Sequence, residues 1–460
     1  MSVLTTKKYR TGARRLAMSV MVVAIGAIAN HAKAAPSIYF DKNGTTAGSG
    51  VASAGSYSWE SAFWTTSSTG VTATGAFVEG DFARFAAGTD GTTKSYTITA
   101  SSNHTIGGMF LQSNGGGTVT INGPGVLSID PTGGPLQGFL INSSTQALKI
   151  NAVLSGDGGV EQELSGAISL LGNNSYTGGT ETTGGQNLTY NNNNSFGTGL
   201  FSFTGNSGQG IINAGPAGVT IANDLSFVGK TTATVNGNTT TNFASGHGLA
   251  GAPGAIWTGA VSLPTVAGTT TIQTGSATDV TEFRGVISGP STDPIVVSNL
   301  GTLILSGANT YSGMTTITGT ATLKLGAAGT IASSSGVVLA SGTLNPDGVN
   351  QIMSATTLGM TASSTIDYAA GASEVDFANS SALAWTGTLN LANWDPSVDK
   401  LRFDSSPSGL TSDQLANIEF NGAGLGTASL DANGFVIVPE PSAIALLGIG
   451  TLGLIRKRRA

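Results

Sequence analysis

The chain has 460 residues, no cysteine, 68 glycines and a net charge of −6, with only 10% of residues charged. The absence of cysteine excludes a disulfide framework, thiolate metal sites, a thiol nucleophile and lipidation of a cysteine. An acidic body offers no basic face to phosphate, so nucleic acid is not an expected partner.

At the N-terminus, Lys7, Lys8, Arg10, Arg14 and Arg15 precede an apolar run over 16–29 that is too short for a comfortable membrane span. Ala32-Lys33-Ala34 then supplies the small-x-small pattern a signal peptidase reads. Residues 1–34 are therefore expected to be a signal peptide cut between Ala34 and Ala35. Arg14-Arg15 is twin-arginine-like, but Ala17 and Met18 suit the general secretory route better.

Glycine is about twice its usual frequency, and Val, Ile and Thr recur throughout a chain of mean hydropathy +0.15. Uncharged, β-branched and glycine-punctuated sequence predicts many short strands joined by tight turns. Residues 35–110 add the aromatics Tyr57, Trp59, Phe63, Trp64, Phe77, Phe82 and Phe85 amid turn signals such as Asp41-Lys42-Asn43-Gly44. This zone reads as an N-terminal β cap over the open end of a strand stack. A carbohydrate platform built on the same rings is the alternative.

Residues 111–380 form the repetitive body. GAISLLGNNSYTGGT at 166–180 and GTLILSGANTYSGMT at 301–315 align at a constant offset of 135 residues. Identical pairs include Gly172/Gly307, Asn174/Asn309, Tyr176/Tyr311 and Gly178/Gly313. The motif predicts strand, turn, strand, with glycine free to take positive φ and asparagine free to bond its own backbone. A unit of about 20–25 residues with two or three strands corresponds to one rung of a solenoid. Gly342-Thr343-Leu344 and Gly387-Thr388-Leu389 are weaker copies of the opening.

These residues resemble the autotransporter-associated β-strand repeat, closely at 301–315 and with departures at Ala167 and Ile168. The resemblance implies an all-β fold, a right-handed parallel β-helix. It implies no activity, and where an autotransporter carries a C-terminal barrel this sequence has a short apolar helix.

Residues 381–437 read as a C-terminal cap, with a short helix within 410–418 capped by Thr411 or Ser412 and a last strand over 434–438. From 438 the chain changes character. Val438-Pro439-Glu440-Pro441-Ser442 keeps the backbone extended, an apolar helix is expected over 443–455, and Arg456, Lys457, Arg458 and Arg459 follow. Those cations would hold this end in the cytoplasm and the body outside. VPEPS, the short helix and RKRR resemble the PEP-CTERM sorting signal over 438–460. That resemblance implies an exosortase-type enzyme as partner, contact with the membrane through the helix, and an envelope, surface or extracellular-matrix location in a Gram-negative-type bacterium.

Chemistry-bearing sets are sparse. His104 and His247 sit in turn-like contexts with no ligand spacing. Glu161 and Glu163 share one strand face, as paired carboxylates of a glycan hydrolase or lyase would, but a solvated face reads the same way. Leu154-Ser155-Gly156-Asp157-Gly158-Gly159 is an imperfect calcium nonapeptide, and Asp395, Asp399 and Asp404 with Lys400 and Arg402 read as a cap ion-pair patch. No catalytic, cofactor or metal set is assigned. The expected role is a structural, matrix or adhesion protein touching exopolysaccharide or other surface proteins, with a β-helix glycan lyase or hydrolase and a carbohydrate-binding protein as alternatives.

Overall fold

The computed structural model describes residues 36–438, apart from 112–114, 131–137, 142–145, 163–166, 183–186, 204–208, 214–217, 228–239, 247–254, 265–268, 275–276, 290–293, 332–335, 369–370 and 423–427. The expected cleavage residues Ala32, Ala34 and Ala35, the tail from Pro439 through Glu440, Pro441 and Ser442 to Arg456, Lys457, Arg458 and Arg459, and also Glu163, Gly166 and His247 lie outside the described residues.

Strands form where β-branched and apolar residues alternate with polar ones. In Thr118–Asn122 (TVTIN) and Thr302–Leu305 (TLIL), every second side chain is buried and the others half-exposed. Val119, Ile121, Leu148, Ile150, Ile168 and Leu170 stack inward at 1% exposure or less. Burial of each such side chain contributes roughly 1.5–3 kcal/mol. Leu148, Ile168 and Leu188 lie in register on successive parallel strands, so a coil here takes 20 residues. Ile211 pairs with Ala244 and Ala244 with Gln273, so middle coils are longer.

The result is the expected all-β parallel solenoid, with three faces around one apolar core. A 13-stranded sheet makes the long face. The second face is a three-stranded sheet followed by a nine-stranded one, and the third an 11-stranded sheet followed by a three-stranded one. One coil runs Ala147–Ile150 on the long face, Val153–Gly156 on the second and Gly159–Gln162 on the third.

Both ends belong to these sheets and are closed by non-parallel elements. Ser37–Phe40 starts the 11-stranded sheet, and the short strand Trp64–Thr65 crosses its edge antiparallel. At the far end Ile418–Phe420 continues the nine-stranded sheet and Lys400–Phe403 the third face. The helix Ser412–Ala416 is capped by Thr411 in a capping box with Gln414. The Gln414 amide donates to the Ser380 and Leu383 carbonyls, pinning the helix to the end of the stack. The last strand is Val436–Ile437, antiparallel to Ser429–Leu430, shorter than the run predicted from the sequence.

The two repeat copies fold alike but occupy different faces. Ile168–Leu170 lies on the long face and Thr180–Thr182 on the third, so the intervening turn sits at the second face. Thr302–Leu305 lies on the second face and Thr315–Thr318 on the long face, so that turn sits at the third. The motif is thus part of a coil, reused a face further round.

The turn chemistry differs from the sequence reading. Gly172 and Gly307 do not adopt positive φ; a Cβ there would come within 2.3 Å of the Ala152 carbonyl oxygen and 2.2 Å of the Gly285 carbonyl oxygen, one coil back. Glycine is needed for close approach between coils. Nor does asparagine bond its own backbone. Asn174 Oδ1 accepts from the Leu154 N–H (2.8 Å) of the preceding coil and its amide donates to the Ser195 carbonyl (2.7 Å) of the next. Asn309 does the same, accepting from Ile287 N–H (2.7 Å) and donating to the Thr330 carbonyl (2.6 Å). Each buried asparagine therefore clamps three coils.

Candidate functional site

Stacking of coils converts single strand positions into rows. On parallel strands about 4.8 Å apart, residues in register point the same way. On the long face Ser56, Thr97, Thr120, Lys149, Ser169 and Thr189 form one such outward row. On the second face Thr302, Thr322, Thr343 and Thr365 stack on four successive coils, each half-exposed. The third face carries Glu161, Glu181, Ser202, Ser226, Ser262 and Ser288. The candidate functional surface is therefore a set of long hydroxyl-bearing rows along the solenoid.

The repeat residues hold that surface in place. Tyr176 and Tyr311 are fully buried and pair with Thr180 (2.6 Å) and Thr315 (2.8 Å) through their hydroxyls. Burial pushes the Tyr311 phenol up to about 12, with the Thr315 contact acting in the opposite sense, and Tyr176 is raised in the same way. Both phenols stay protonated. Gly178 permits close approach, since a Cβ there would lie 2.5 Å from the Gly158 carbonyl carbon, and Gly313 occupies the matching place in the second copy.

Of the two carboxylates that the sequence places on one strand face, Glu161 is described and Glu163 lies outside the described residues. Glu161 is in register with Glu181 of the next coil, which the spacing within one strand could not show. Asp157 is exposed and accepts from the Thr177 hydroxyl (3.3 Å), without a gathered calcium loop around it. Among the described residues, no group of three or more His, Cys, Asp or Glu is placed to hold a metal ion. Lys400 and Arg402 pair with Glu374 and Asp376 of the preceding strand, whereas Asp399 accepts from the Ser373 and Asp395 N–H groups. The ion-pair patch is real, but its acids come from the neighbouring coil.

His104 lies on the strand His104–Ile106, stacked on Trp59 at 5.7 Å, rather than in an exposed turn. Its ring nitrogens face Glu79 (2.7 Å) and Glu60 (3.3 Å). For Glu60, burial raises the pKa, but hydrogen bonds from the Ser58 hydroxyl, the Ser102 N–H, its own N–H and His104 outweigh it and hold the carboxyl down at about 2. A depressed carboxylate contributes stability that is present above its unfolded value and lost as pH falls towards the folded one. Glu60→Gln is expected to flatten the loss of stability between about pH 4.5 and pH 2, read as urea midpoints against pH; an acid limb identical to wild type would refute it.

Val438 is the last described residue. It lines a groove of about 710 Å³ with Trp394, Lys400, Phe435 and Ile437, at the closed end of the stack. Among the described residues no helix is long and apolar enough to cross a membrane.

Residues 438–459 match the PEP-CTERM protein-sorting motif, so the chain carries this sorting signal. Over 156 residues, 33% of this chain, it is 32% identical to the Adhesin BmaC autotransporter of Brucella suis biovar 1 (strain 1330). That stretch is 4% of the adhesin's length. No solved structure matches the chain. The chain is thus a β-solenoid carrying a PEP-CTERM sorting signal, similar over a third of its length to part of an autotransporter adhesin.

Proposed function

We propose that this is an exported surface solenoid whose hydroxyl rows bind a matrix polymer, an exopolysaccharide being the partner best suited to them. The observation that carries the reading is the stack Thr302, Thr322, Thr343 and Thr365, repeated in kind on the other two faces. One hydrogen bond in water is worth only about 0.5–1.5 kcal/mol net. A polymer that meets a row at regular spacing adds many such contacts after the first, by raising their effective concentration. The sorting motif, the signal-peptide pattern and the likeness to an adhesin support the same reading. In it, signal peptidase cuts after Ala34, an exosortase-type enzyme acts near Pro439-Glu440-Pro441, and the basic end stays cytoplasmic until that step.

Two measurements test it. Intact mass from envelope and medium of the native host should show a species starting near Ala35 and ending near residues 439–441; a chain retaining Arg456–Arg459 in both fractions would defeat the processing step. Replacing all four threonines of the row by valine keeps shape and strand preference. It should weaken binding to host exopolysaccharide about tenfold or more, as a loss of roughly 1.4 kcal/mol requires. Unchanged affinity would remove the row from the account. The reading treats the chain as a binder rather than a catalyst. The adjacent Glu161 and Glu181 support a second reading, glycan cleavage, which requires turnover of a polysaccharide that E161Q and E181Q each abolish.

A further inference from the structure

The N-terminal end of the stack brings together three chain segments around a buried carboxylate. Asp41 is fully buried. Its Oδ1 accepts from the Asn43 and Gly44 N–H groups at 3.0 and 3.2 Å, while Oδ2 and the nearby Asn43 Oδ1 are buried with no partner. Asp90 holds the far end of the same loop: Oδ1 accepts from the Ser49 N–H (2.7 Å) and hydroxyl (3.1 Å), and Oδ2 from the Gly50 N–H (2.9 Å). The Gly48 carbonyl oxygen and Asp41 Oδ2 lie 2.3 and 3.1 Å from the single point a Cβ on Gly70 would occupy. Gly70 itself takes φ +68°.

Charge makes this arrangement costly as it stands. Among the described residues neither Asp41 nor Asp90 makes an ion pair, and the Lys42 ammonium lies instead over the Tyr57 ring at 5.8 Å. Burial pushes the Asp41 carboxyl up, the Asn43 and Gly44 N–H groups act against this, and Asp90 adds to it by repulsion. An ionised carboxylate in such a place needs a compensating cation or must take up a proton.

We infer that Asp41 Oδ2, Asn43 Oδ1, the Gly48 carbonyl and the Asp90 carboxylate form a binding site for a hard divalent cation of the calcium type. The donors are all oxygens, carboxylate, amide and backbone carbonyl, the mixture calcium takes at about 2.3–2.6 Å. Only two of the four donors come from acidic residues. The ion ties loop 41–50 to the loop at Asp90, locking the first coil where an unprotected strand edge would invite association. Affinity in the range of extracellular calcium modules, roughly 10⁻⁴–10⁻³ M, would make the lock form outside the cell and open in the cytoplasm before export. The inference is independent of the hydroxyl rows.

The test uses the purified full chain, stripped with a chelator and then titrated with calcium chloride. Lys42 is exposed within the loop and gives trypsin a cut at the site itself. Calcium at about 5 mM should slow cleavage after Lys42 by about fivefold to fiftyfold and raise Tm by roughly 2 °C or more. Asp41→Asn should abolish both responses while leaving the chelated protein at least as stable as wild type, because it removes the uncompensated charge. No effect of calcium on wild-type cleavage or Tm would overturn the site. Full calcium protection in Asp41→Asn would place the ion elsewhere, and equal protection by magnesium would overturn the calcium assignment.

Discussion

Asn309→Ala is expected to destabilise the protein by about 2–5 kcal/mol, because it orphans two buried backbone groups at once. The Ile287 N–H loses its acceptor and the Thr330 carbonyl its donor, and both belong to other coils. Asn174→Ala should behave alike through Leu154 and Ser195. Asn309→Asp should be no better, since it keeps the acceptor, loses the donor and buries a charge. The effect has a second signature. In a solenoid, coils are held by nearest-neighbour interfaces, so weakening one interior interface uncouples the parts on either side. Denaturant unfolding of Asn309→Ala should therefore show a lower midpoint and a broader or divided transition. The control is Asn173→Ala, whose contact with Asn194 is on the exposed side and whose midpoint should move little. Equal effects for Asn173 and Asn309 would mean the clamp is not what holds the coils.

The same residues show what a sequence can and cannot disclose about a solenoid. The repeat of Asn174 and Tyr176 at Asn309 and Tyr311 was enough to give the fold class, because strand–turn–strand units of this length cannot bury an apolar face except by stacking. Thr411 as helix cap was legible because capping is local chemistry, settled within four residues. The rows were not legible. Thr302 meets Thr322, Thr343 and Thr365 only through coil length, and coil length varies along the chain, so no fixed period lines them up. For the same reason nothing in the sequence marks Glu161 and Glu181 as neighbours on adjacent coils. The role given to glycine failed differently: positive φ is a property of one residue, whereas the need at Gly172 and Gly307 comes from a carbonyl a coil away. Asp41 and Asp90 are likewise joined by folding, through Ser49 and Gly50, and nothing at either position announces the other.

Trp59→Ala is expected to cost about 3–5 kcal/mol, the usual range for truncating a buried tryptophan, and this decides between two uses of the N-terminal aromatics. A ring that binds sugar must show a face to solvent, and its loss should spare the fold. Trp59 and Trp64 are instead 0% and 1% exposed. Trp59 packs against Trp64 at 5.0 Å, Phe77 at 5.1 Å and Phe85 at 5.9 Å, and the Trp64 indole N–H donates to the Trp59 carbonyl at 2.9 Å. These rings close the first coil, and the strand Trp64–Thr65 that they anchor is what crosses the open sheet edge. Removing Trp59 should therefore loosen the cap, lower the thermal midpoint and raise the tendency to associate through the exposed edge, seen as larger species by light scattering. Glycan binding should fall only in proportion to the unfolded fraction. A Trp59→Ala protein with wild-type stability and lost glycan binding would reverse the assignment and make the cluster a platform after all. Trp59→Phe, which keeps an apolar ring but leaves a smaller volume, should recover part of the stability. That graded response belongs to packing, because a lost sugar contact would leave the melting curve unmoved.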